Sequence, residues 1–156
     1  MSLNVRGFTL IELLITLTVL CVILGMAIPI FSRALTDARN TRAIGDIKTL
    51  EKEIILFELR YTALPLTLAE IGRGNLVDPW GRPYQYVSFA TLAKNGQGEV
   101  QNGTRKDKKL HPLNSDYDLY SMGEDGDSKL PLTAEASRDD IIRAGDGSFV
   151  GLAENF

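Results

Sequence analysis

One cysteine, one histidine and no surplus of positive charge remove most of the chemistries that a chain of 156 residues could carry. Cys21 lies inside an apolar run and has no second cysteine to pair with, so the thiol packs as a small apolar group and no internal disulfide forms. His111 is the sole histidine, and there is neither a Gly-x-Ser-x-Gly elbow nor a phosphate-cradling glycine loop. The sequence therefore predicts no enzyme. Its 17 Lys and Arg against 20 Asp and Glu leave a formal charge of −3, not the dense basic footprint that a nucleic acid requires. The length suits one domain.

What is present is unevenly spread. Phe8 to Phe31 reads FTLIELLITLTVLCVILGMAIPIF, long enough to cross a bilayer as a helix and charged only at Glu12. A cleavable secretory signal has a shorter apolar core followed by a small-residue cleavage site, and this run has neither. The leader before it, Met1 to Gly7, carries one charged side chain, Arg6. A short basic flank favours a cytoplasmic N-terminus, with the remainder of the chain outside.

Arg6-Gly7-Phe8-Thr9-Leu10-Ile11-Glu12 resembles the processing site of type IV prepilins and type II secretion pseudopilins. The resemblance implies cleavage between Gly7 and Phe8 by a prepilin peptidase and methylation of the new Phe8 amine. It also implies that Glu12 neutralises the amino terminus of a neighbouring copy during assembly. The residue taken alone admits another reading, an acid in the first helical turn that is stabilised by the helix dipole and faces the headgroups. Gly25 and Pro29 fall within the membrane part, and proline removes a backbone hydrogen bond and crowds the preceding turn. A bend or local melting is expected there. The resemblance adds unwinding during assembly, while a tolerated membrane-helix proline remains the alternative.

Past Phe31 the sequence predicts that the helix continues to about Arg60, on the order of 75 Å at about 1.5 Å per residue. Ile47, Leu50, Ile54, Phe57 and Tyr61 recur at three- and four-residue spacings, a stripe suited to holding a head. Glu51, Lys52, Glu53, Glu58 and Arg60 mostly fall elsewhere and are expected to face solvent or a neighbouring subunit. Leu64-Pro65 ends the helix, and Leu66 to Ile71 suits one short turn. Strands are predicted at Tyr84 to Phe89 and Tyr117 to Met122, separated by a polar exposed loop from Lys94 to Pro112 that contains Arg105-Lys106-Asp107-Lys108-Lys109. The expected fold is α+β, a pilin fold: a long N-terminal helix on a small antiparallel sheet with a long C-terminal loop. Its divisions are a leader at 1–7, a membrane and filament-core helix at 8–31 and an exported head at 32–156.

Asp78-Pro79-Trp80-Gly81 with Pro83-Tyr84, and the later run from Tyr117 to Gly126, resemble the major pseudopilin of type II secretion systems. That resemblance implies a homo-oligomeric filament and a prepilin peptidase. It also implies an inner-membrane assembly platform, minor pseudopilins and passage from the inner membrane to a periplasmic or extracellular filament. A type IV pilus for adhesion, motility or surface contact is the alternative, and a monomeric anchored binding module is a further one. Heads of this kind hold a calcium ion where many pilins have a disulfide. The implied ligands are the side chains of Asp125, Asp139 and Asp140 and the carbonyl of Met122, with the carbonyls of Asp127 and Ser137 as weaker candidates. Calcium takes six to eight oxygens from carboxylates and carbonyls, so aspartates in a glycine-rich tail suit it. They also suit turns and a charged surface. The stretch from Gly126 to Arg138 is long for the pseudopilin pattern.

Overall fold

In the computed structural model, residues 7–92 and 102–156 are described; the leader before Gly7 and the start of the expected polar loop lie outside them. Helix α1 spans Leu10–Tyr61 and is helical across Gly25 and Pro29, where a bend or local melting was expected. It stops at Thr62, whose left-handed φ of 59° and N–H bond to the Glu58 carbonyl close the last turn. By internal contacts the chain divides into two units, residues 1–38 and 39–156.

In the first unit every side chain from Gly7 to Leu35 is exposed, and α1 is long and apolar enough to cross a membrane. The second unit has its own core. Ala43, Ile47, Leu50 and Ile54 form the buried stripe of α1, while the predicted members Phe57 and Tyr61 lie beyond it and stack on one another at 4.5 Å.

The stripe packs on a four-stranded antiparallel sheet of order β1-β2-β3-β4, with β1 at Gln85–Ser88, β2 at Tyr117–Ser121, β3 at Ile141–Ala144 and β4 at Phe149–Leu152. Two of these strands fall where the sequence predicts them. β3 and β4 lie in the tail expected as loop, and they form a hairpin around Gly145-Asp146-Gly147, where all three residues have positive φ. Period-two alternation requires one wet face, and β3, buried at every position, has none. Tyr117, Leu119 and Ile141 face α1; Ile142 and Ala144 join Leu113, Leu132 and Ala153 in a second core on the other face. Fully burying each large aliphatic side chain contributes about 1.5–3 kcal/mol.

Candidate functional site

Two places carry the polar chemistry expected of the sequence: the start of α1 and the loop after β2. At the helix start the Thr9 N–H and hydroxyl both donate to Glu12 Oε2, at 3.0 and 2.9 Å, and the Glu12 N–H returns a bond to Thr9 Oγ1 at 3.3 Å. This is a capping box, reciprocal bonds that satisfy N–H groups the first turn cannot pair internally. Both bonds to the carboxylate fall on one oxygen, and the box fixes the side chain one turn from the expected cut. Gly7 and Phe8 precede it in the open, Phe8 being 81% exposed.

The loop after β2 is clamped from two sides. Asp78 is buried; its Oδ1 accepts from the N–H groups of Trp80 and Arg82, and its Oδ2 from the Ser121 hydroxyl at 2.6 Å. The Asp-Pro-Trp-Gly turn thereby aims Arg82 at the loop, where it donates to the carbonyls of Gly123 and Glu124 at 2.7 and 3.1 Å. From the other side Asp139 Oδ2 accepts from the N–H groups of Glu124 and Asp125 at 2.7 and 3.0 Å. Gly123 and Gly126 have positive φ, and a Cβ on either would strike Asp139 or the Arg82 guanidinium respectively.

The residues implied as calcium ligands are thus only partly brought together. Asp125 and Asp139 meet at the loop, but Asp125 Oδ1 accepts from the Asp127 N–H and the Met122 carbonyl from the Gly126 N–H. Ser137 uses its hydroxyl to hold the backbone of Lys129. Asp140 turns elsewhere. Fully buried, it is ion-paired through Oδ2 to Arg105 and accepts on the same oxygen from Ser128 Oγ at 2.6 Å. Burial pushes its carboxyl up to about 6 against the downward pull of Arg105, leaving it mostly ionised at neutral pH. Its Oδ1 is buried without a protein partner. One orphan oxygen is not the shell a calcium ion takes, and among the described residues no three His, Cys, Asp or Glu side chains are grouped to hold a metal. The side chains as placed do not fit the ion.

Residues 2–28 match the family model for the prokaryotic N-terminal methylation motif. The start of the chain thus carries the motif found in N-terminally methylated prokaryotic proteins. The chain is 28% identical to the type II secretion system core protein G of Pseudomonas aeruginosa over 141 residues, covering 77% of this chain and 84% of that one. It is 27% identical to the protein of the same name from Klebsiella pneumoniae, covering 87% of this chain and 91% of the relative. With the Dickeya chrysanthemi protein of that name it shares 29% identity, covering 53% of this chain and 68% of the relative. No solved structure matches the chain significantly.

Two side chains that organise this head, Arg105 and Arg143, escape the sequence reading. Arg105, in a string that reads as solvated, is 2% exposed. Arg143 is also buried; it reaches Glu51 on α1 at 2.8 Å and both Asp116 oxygens at 2.8 and 2.9 Å, and stacks 4.1 Å over Tyr117. Burial alone would lower its pKa, but the Asp116 and Glu51 carboxylates hold it above its ordinary value. Glu51 therefore belongs to the head, as does Glu53, which pairs with Arg73. At the helix start Thr9 also escaped it, although its signal was in plain sight: Thr-x-x-Glu just before an apolar run.

Proposed function

We propose that this chain is the structural subunit of a type II secretion pseudopilus. Prepilin peptidase removes the leader after Gly7, Phe8 is N-methylated, and copies pack through their apolar helices into a filament that supports export across the outer membrane. Before assembly the chain crosses the inner membrane once with its N-terminus cytoplasmic. An assembly platform and minor pseudopilins then draw it into a filament on the periplasmic side. Its work is mechanical rather than catalytic. The observation that carries this reading is the methylation motif at the head of a chain that aligns with core G proteins over most of its length. Use in an adhesive or motility pilus is not favoured, because the relatives share the secretion name.

The capping box suits the assembly step. It holds Glu12 on Thr9 through one oxygen, so the carboxylate is already oriented when the cut creates a cationic amine on Phe8. Deleting the gene in its native cell and restoring it with Gly7→Ala, Gly7→Val or the natural sequence tests the proposal. Export should stop on deletion and return only with chains whose mass places Phe8, N-methylated, at the N-terminus. Unchanged export in the deletion strain would sink the secretion reading.

A further inference from the structure

The long stretch between Asp125 and Asp139 and the basic string in the preceding loop converge on one buried point. The guanidinium of Arg105 donates to Asp140 Oδ2 and, at 2.7 Å, to Ser128 Oγ, while lying 4.1 Å over the Tyr120 ring. Its backbone is held as firmly. The Arg105 N–H donates to buried Asp118 at 2.7 Å, its carbonyl accepts from Leu113 N–H at 2.9 Å, and the next residue, Lys106, bonds the backbone of Leu130 and Leu132 at 3.0 and 2.9 Å. Asp118 is itself bonded to Asn114 at 3.0 Å. A side chain anchored at both ends is built into the site and does not merely rest against it.

Charge is what this arrangement supplies. A buried carboxylate needs a counter-charge and hydrogen bonds, and a guanidinium provides both in one plane. With one positive charge already in contact with Asp140, a divalent cation placed there would be opposed by Coulomb repulsion that low-dielectric surroundings amplify. Of the remaining aspartates, Asp139 accepts two backbone N–H groups on Oδ2 and Asp125 accepts one on Oδ1.

We propose that Arg105 is the built-in counter-ion of Asp140, standing where the pseudopilin resemblance places calcium, so that this head orders its C-terminal loop without a divalent cation. The inserted stretch contributes Ser128, which completes the cradle for both partners. The assignment is independent of the export reading, since a head can dispense with calcium whatever its filament does.

Melting the full-length chain in detergent micelles, followed by Trp80 fluorescence with millimolar calcium and again with EGTA, tests it. The expected midpoint is the same in both. Asp140→Asn and Arg105→Met should each lower it by on the order of 10 °C, as breaking a buried ion pair does. Arg105→Lys should fall between, still indifferent to calcium. A natural chain whose midpoint rises in calcium, with the rise lost in Asp140→Asn, would overturn the proposal, as would an Arg105→Met chain that melts like the natural one. If Arg105→Met does not fold, the calcium response of the natural chain decides alone.

Discussion

Between Gly7 and Leu35 every side chain of the protein is exposed, Leu10 at 83% and Phe31 at 71%, whereas from Ala43 to Ile54 the same helix buries four apolar side chains completely. The difference lies in where each stretch finds its partner. The later stretch is striped because the sheet of its own unit covers one side of it; the earlier stretch is apolar nearly all round and has no core within its own unit. Substitutions in the two stretches should therefore be read by different experiments, assembly for one and unfolding for the other. Trp80, the sole tryptophan, sits in the head and reports the second.

The sharpest separation is expected from Glu12→Ala. Peptidase processing and the Trp80 melting midpoint should be unchanged while filament yield falls to background; normal yield would erase the distinction. In the other direction, Ile47→Ala opens a cavity in the head core and should cost about 2–5 kcal/mol in denaturant unfolding while membrane insertion stays normal. Arg143→Met should cost less, about 2 kcal/mol, because the Glu51 and Asp116 carboxylates it abandons keep contact with solvent. The smallest effect concerns pH. Hydrogen bonding to Arg73 holds Glu53 below the ordinary carboxylate range. A depressed folded-state pKa means its contribution is full above the unfolded value and is lost as pH falls through the folded one. Glu53→Gln should flatten that acid limb by about 0.5 kcal/mol, the scale of a half-exposed pair. An acid limb unchanged by the substitution would show that the pair contributes nothing measurable.

The same contrast explains how far the sequence could be read. The methylation motif and the long apolar stretch were legible because they are local: the motif is read from residues at fixed offsets, and an uninterrupted apolar run needs no knowledge of the fold. The α1 stripe and strands β1 and β2 were legible from periodicity and aromatic content. What failed depended on distant pairings. β3 carries Ile-Ile-Arg-Ala with no alternation, because Ile141 and Arg143 face the helix side while Ile142 and Ala144 face a second core. The Gly-Asp-Gly turn between Ile141-Ile142 and Phe149-Val150 was the available signal for that hairpin. Arg105 was read as solvated because its sequence neighbours are, and Asp140 was grouped with Asp139 because the pseudopilin resemblance implies both as ligands. Folding sends the two carboxylates to different partners, one to backbone amides and the other to a guanidinium.

The two central strands, covered on both sides, leave none of their residues free to drift. Each position from Tyr117 to Ser121 answers to the helix on one side or to the Arg105 and Leu113 layer on the other, so changes that adapt the head to different neighbours have to be written in its connecting loops and at the outer edges of β1 and β4. In such a head the framework is conservative by geometry, and its surface vocabulary lies outside the ladder.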